Sequence, residues 1–401
     1  MTGRISKRTS LAAALFFVLL FIPSLARDID LDALYLKSGS RHYRSLQENK
    51  FSLYQKLGSV LVDSGIIHAL WASGHELIYV KEAEAVNIVY RYNTKKHQRE
   101  EIARAEGTIT SALMSSGRRY IFLKQITIGP SGMPRSSRLM ISFETGTVSS
   151  TASDYPFADY SMVPGEDSIL YHSARGICEY GPDSGTEKRI IPLSEYHAII
   201  VKDGITVPFY SPNRKKVLVV SGTGGEYSAM VISGTKKSML RGVSSAGEIF
   251  WIDNDRVLFR KGSMGDFSAC IHDLRSGKSL ALVTGSLNTN ISYSPVAKVV
   301  TVLANQLLHL YDIRANSLLN CGIEGEDASF SPDGARFVTL ISKKLMLTNI
   351  HSVKKNGYLQ KKYAETLIRI YDNALKDPDS WNNTYTPEYI KKKIMVYRKL
   401  L

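Results

Sequence analysis

Phe330-Ser331-Pro332-Asp333-Gly334, followed by Arg336-Phe337-Val338-Thr339-Leu340, is the stretch whose reading settles the fold. An aromatic residue leads into a tight turn, and the turn leads into a run of β-formers. Proline presets φ for the turn, aspartate bonds the local backbone, and glycine supplies positive φ. The phrase returns as Tyr293-Ser294-Pro295 before Val299-Val300-Thr301-Val302-Leu303, and as Tyr210-Ser211-Pro212-Asn213 before Val217-Leu218-Val219-Val220. Weaker copies place Trp251 before Arg256-Val257-Leu258-Phe259, Gly165 before Ile169-Leu170-Tyr171, Gly117 before Tyr120-Ile121-Phe122, and Gly74 before Leu77-Ile78-Tyr79. Turn positions 74, 117, 165, 213, 254, 296 and 334 are spaced by 43, 48, 48, 41, 42 and 38 residues.

A period near forty residues that delivers short strands and turns predicts an all-β, seven-bladed β-propeller. One four-stranded blade cannot bury both faces alone, so each is packed between two neighbours and the ring closes on itself. The aromatic ahead of each turn is expected between blades. Second strands and polar turns follow each unit, as at Asp273-Leu274-Arg275-Ser276-Gly277-Lys278 and Phe143-Glu144-Thr145-Gly146.

The Ser-Pro-Asp-Gly turn between an aromatic and a hydrophobic strand resembles the repeat of TolB-type, WD-repeat-like bacterial propellers. The match is full at Phe330–Gly334, partial at Tyr210 and Tyr293, and degenerate elsewhere: Ile252-Asp253 replaces Ser-Pro after Trp251. The resemblance covers residues 66 to 352 and implies a fold rather than an activity.

The ends carry different signals. Residues 1–26 read as an export signal: Arg4, Lys7 and Arg8, then a 12-residue apolar run from Leu11 to Ile22, Pro23, and Ser24-Leu25-Ala26. That run is well short of the roughly 20 residues that span a bilayer. Residues 27–65 lack the repeat. Ile29, Leu31, Leu34 and Leu36 suit a short strand or turn, and Tyr43 to Val62 has helical spacing. This segment reads as a cap over one face, the alternative being a strand that closes the last blade. In the tail, 353–401, Leu359, Tyr363, Leu367, Ile370-Tyr371 and Ala374-Leu375 form one helical stripe ended by Asp377-Pro378-Asp379. Thr386-Pro387-Glu388 starts a second helix with Thr386 as N-cap and a stripe of Ile390, Ile394, Tyr397 and Leu401.

Net charge is +14, and loss of the leader's three cations lowers it to +11. From His351 onward 11 Lys/Arg face 5 Asp/Glu, so the tail is a place to meet an anionic surface. Export argues against nucleic acid as a partner. Cys178, Cys270 and Cys321 lie in different blades, an odd set without zinc spacing, and read as small core side chains.

No catalytic, cofactor-binding or metal site is assigned. Gly-x-Ser-x-Gly is absent, and none of the nine histidines forms a His-x-x-x-His pair. Gly222-Thr223-Gly224-Gly225 and Gly262-Ser263-Met264-Gly265 read as hairpin turns. The expectation is an exported, non-catalytic scaffold of a bacterial envelope that holds a protein partner through propeller loops or the tail helices. Trp381, Tyr385 and Tyr389 are the aromatic anchors proposed for that contact. The alternative is a periplasmic hydrolase, or a glycan or small-ligand binder, working at the central channel.

Overall fold

The computed structural model describes residues 30–401 except 85, 129–133, 153–159, 202–203, 224–225, 264–265 and 286–288. The proposed leader and mature start at Arg27 lie outside the described residues. Seven antiparallel four-stranded sheets follow one another along the chain. They span 66–106, 108–152, 160–192, 205–240, 249–285 and 289–324 as blades 1 to 6, with 327–349 supplying three strands of blade 7. The first strands of neighbouring blades meet around the ring, and blade 7 meets blade 1. The chain is therefore a closed seven-bladed propeller.

All seven turns read from the sequence join the first strand of a blade to its second. In blade 7 the Ser331 hydroxyl accepts the Arg336 N–H (3.0 Å) and donates to Asp333 (2.5 Å), which in turn accepts the Ala335 N–H at 3.0 Å. Gly334 takes φ +74°, where a side chain would be strained. Ser211 repeats the arrangement with the Lys216 N–H (3.0 Å) and Asn213 (2.9 Å). Ser115 accepts the Tyr120 N–H at 3.0 Å in a blade whose copy of the phrase is degenerate.

Second strands such as Val217–Thr223, Val299–Ala304 and Arg336–Ile341 are buried on both faces, which explains their unbroken apolar runs. Fourth strands such as Gln98–Glu106 are largely exposed and charged. The second and third strands of blades 4 and 5 pair directly across residues 224–225 and 264–265, as Thr223↔Glu226 and Ser263↔Asp266 show. The hairpin-turn reading of the two Gly-rich segments falls on residues 224–225 and 264–265, which lie outside the described residues.

Residues 30–65 supply the strand that closes the last blade, and their helices pack with the C-terminal helices against the outer strand of blade 6 instead of spanning one face. Val60–Ser64 is the fourth strand of blade 7, paired from Val60↔Leu347 to Ser64↔Lys344. Ahead of it lie helices α1 (Leu31–Tyr35) and α2 (Arg41–Lys56). The first apolar cluster is a helical turn rather than a strand because the Asp30 carboxylate caps it, accepting the N–H groups of Asp32 (3.0 Å) and Ala33 (3.3 Å).

The C-terminal segment forms α3 (Ile350–Lys355), α4 (Gly357–Leu375) and α5 (Thr386–Arg398). Thr386 does not act as the N-cap. Its hydroxyl donates to the Tyr35 carbonyl (2.7 Å), so it ties the two ends of the chain together instead. Lys37 N–H to Ser380 O (2.8 Å) and Asn382 N–H to Tyr35 O (2.9 Å) add to this junction. The five helices make one module against the outer strand of blade 6, Ser317–Glu324. Leu46, Leu53 and Tyr54 share a core there with Tyr363, Leu367, Tyr371, Cys321 and Ile323.

Candidate interaction surfaces

The seven first-to-second-strand turns share one face of the ring, and basic side chains lock several of them to a neighbouring blade. Arg336 of blade 7 donates to Gly74 O and to Thr94 Oγ1 of blade 1, both at 2.7 Å. Arg119 reaches Asp167 (2.6 Å) and Asp183 (2.5 Å) of blade 3, and Arg214 of blade 4 reaches Pro164 O at 2.6 Å. Lys216 holds Asn254 O (2.9 Å) and Asp255 (2.6 Å) of blade 5. Burial alone would raise Asp167, but hydrogen bonds from Ser115 and Arg119 hold it below the usual carboxylate range. The Lys216 contact likewise lowers Asp255. Gly146 shows how closely the blades approach: at φ +68°, a Cβ there would lie 2.3 Å from the Ile102 carbonyl of blade 1. This face is a preorganised platform. Lys95, Lys96, Arg118 and Lys215 stand exposed on it.

The channel side follows a different rule. Each first strand is the inner edge of its blade, and an edge strand leaves main-chain groups without a ladder partner. Side chains from neighbouring blades supply partners. Trp71 Nε1 donates to Ser329 O (3.1 Å), Trp251 Nε1 to Phe209 O (3.1 Å) and Tyr293 OH to Ile252 O (3.3 Å). Trp251 and Tyr293 are aromatics of the repeat and do bridge blades; Trp71, which the sequence reading did not single out, holds the equivalent place in blade 1. Ser161 to Pro208 O (2.6 Å), Ser292 to Ala328 O (2.8 Å) and Asn290 to Glu326 O (3.1 Å) continue the stitching. His68 Nε2 meets Ile109 O at 3.2 Å, and Glu248, between blades 4 and 5, pairs with Arg260 at 3.1 Å and accepts the Ile291 N–H at 2.9 Å.

The three proposed aromatic anchors are dispersed in environment. Tyr389 is buried; it stacks on Tyr35 with centroids 4.1 Å apart and donates to Asp32 at 2.8 Å. Trp381 is half-buried, its indole N–H donating to Ala374 O at 2.9 Å. Tyr385 is 69% exposed and stays available to a partner.

Tyr389 belongs to a buried ionic network that the sequence did not reveal. Lys50 pairs with both Asp32 and Glu324, and Lys393 pairs with Glu324 and donates to Gln306 at 3.0 Å. Tyr371 donates to Asp32 (2.7 Å), Tyr397 donates to Glu324, and Tyr54 donates to the Glu324 carbonyl (2.5 Å). Burial pushes Asp32 up, but Lys50 and Lys393 outweigh it and hold the carboxyl well below its ordinary range. Lys50 is desolvated too, yet Asp32 and Glu324 raise it well above normal. Two cations and two carboxylates, the carboxylates further hydrogen-bonded by tyrosines, form a closed latch between helices and blade 6. Nearby, burial and then Asp30 push Glu326 up to about 7.

All three cysteines are free and buried. Among the described residues, no three His, Cys, Asp or Glu side chains are grouped to hold a metal ion.

No protein family and no curated protein matches this sequence. Among solved structures, the chain is similar to one in the crystal structure of a mitotic checkpoint complex, at 11% identity and TM-score 0.49, covering 73% of this chain and 93% of that one. It is also similar to the tricorn protease, at 10% identity and TM-score 0.46, covering 83% of this chain but 37% of that protein. The likeness in both cases is one of fold.

Proposed function

We propose that this protein is an exported, non-catalytic scaffold of a bacterial envelope that holds a protein partner on the turn face of its propeller. A propeller is a rigid ring suited to protein–protein interaction. The observation that carries this reading is the cross-blade locking of that face by Arg336, Arg119, Arg214 and Lys216. A surface fixed before binding loses little conformational entropy on binding. The leader-like first 26 residues and the TolB-type turn phrase support the envelope setting. Tyr385, exposed on the helical module, offers a secondary anchor.

The test is site-specific photo-cross-linking in producing cells, with the reactive residue placed at positions 118, 215 and 335 on the turn face. Positions 100 and 188, on outer strands, serve as the comparison. One recurrent protein adduct from the first set alone is the expected result. Equal labelling from both sets, or none from the turn face, would overturn the reading.

A further inference from the structure

The tail was read above as a place of positive charge, and the structure shows how that charge is arranged. Lys354, Lys355, Lys361 and Lys362 all stand exposed on α3 and the first turns of α4. Segment 350–364, which contains them, has no aspartate or glutamate. Lys391, Lys392, Arg398 and Lys399 are exposed on α5 and its end, and segment 389–401 is equally free of acids. Lys393, the remaining cation of that segment, is turned inward to the latch.

The two segments come together. Tyr363 and Tyr397 contact edge to face with centroids 6.4 Å apart, which places the start of α4 beside the end of α5. Among the described residues, none of these eight cations lies within ion-pair distance of a carboxylate. Interleaved with them, Tyr358 is 69% exposed and Met395 is 60% exposed. Solvated charge alone does not call for an exposed tyrosine and methionine at its centre.

We infer that this basic end of the helical module docks peripherally on an anionic lipid bilayer. Seven of the eight cations are lysines, flexible point charges that reach scattered lipid phosphates rather than the bidentate forks used against a defined carboxylate. Tyr358 and Met395 supply the apolar tips that enter the interfacial zone, where tyrosine is enriched. No helix among the described residues is long and apolar enough to cross a membrane, so the contact is a surface one. The latch of Asp32, Lys50, Glu324 and Lys393 fixes the module to blade 6, so the bilayer contact sets the orientation of the whole ring. This inference stands independently of the partner reading.

The test uses the chain from Arg27 onward, which contains every described element, in vesicle co-sedimentation. Vesicles are phosphatidylcholine alone, or phosphatidylcholine with phosphatidylglycerol, at low and high salt. Binding is expected only to the anionic vesicles and is expected to fall with salt. The K354Q/K355Q/K361Q/K362Q variant should lose roughly fivefold in partitioning per charge removed. K95Q/K96Q, with equally exposed lysines on the turn face, should bind as the parent does. Y358S should weaken vesicle binding while leaving retention on heparin unchanged, since heparin offers charge without an apolar zone. All substituted positions are exposed, and circular dichroism of each variant checks its fold. No sedimentation with anionic vesicles, equal sedimentation of the quadruple variant, or retention on heparin or DNA without vesicle binding would each overturn the inference.

Discussion

Lys50 lies on the inward stripe of α2 with Leu46, Leu53 and Tyr54, and Lys393 on that of α5 with Ile390 and Tyr397; both are buried, Lys50 against Asp32 and Glu324 and Lys393 against Glu324. Removing one partner from a buried ion pair leaves an uncompensated charge, which typically costs about 3–5 kcal/mol. Lys393→Met is therefore expected to destabilise the protein by that amount in urea unfolding. Glu326 makes a prediction with the opposite sense. Its pKa rises from 4.5 to about 7 on folding. Between those values the folded chain keeps a proton that the unfolded chain has lost, so stability falls as pH rises through the window. Glu326→Gln should leave the melting temperature unchanged at pH 4 and raise stability at pH 8 by up to about 3 kcal/mol. The lowered Asp32 acts below this window, where its contribution is lost as pH falls. A pH series of thermal melts on both proteins separates the two effects.

At the scale of elements, the blade turn is set by a serine whose oxygen caps the N–H five residues on. The cap is present at Ser331 and Ser211, and equally at Ser115, where the Pro and Asp of the phrase are missing. Loss of such a buried bond costs about 1–2 kcal/mol. Ser115→Ala should cost at least as much as Ser331→Ala by chemical denaturation, because Ser115 donates to Asp167 of the next blade (2.5 Å) whereas Ser331 donates to Asp333 within its own turn (2.5 Å). The closing strand has a larger role. Without Val60–Ser64, the strand Lys344–Asn349 becomes an open edge. A chain lacking residues 27–64 also loses α2 from the module core, and is expected to elute as aggregate in size-exclusion chromatography rather than as a smaller monomer.

For the molecule as a whole, the helical module is a structural part of the ring. Deleting residues 354–401 would strip Lys393, Tyr371, Tyr389 and Tyr397 from Asp32 and Glu324 and uncover the outer strand of blade 6. A partner lost on that deletion would report unfolding rather than a binding site, so single exposed positions such as Tyr385, Tyr358 and Arg118 are the informative probes. The blade count was legible because turn chemistry is local. Proline, serine, aspartate and glycine act within five residues of one another, and their spacing survives in the text of the chain. The interblade role of Trp251 and Tyr293 was legible for a related reason, since both recur in register; that of Trp71 was not read from the sequence.

Seven repeats of a strand-and-turn unit, two amphipathic C-terminal helices and a basic tail are readable from the chain alone, since each is written in contacts or periodicities of a few residues. Long-range packing set the rest: the N-terminal segment closes the last blade, Thr386 ties the chain ends, and Asp32, Lys50, Glu324 and Lys393 share one buried latch. The physical reason is that charge burial depends on partners brought from distant parts of the chain. Helical spacing places Lys50 and Lys393 on inward stripes, but nothing local names the carboxylates they meet.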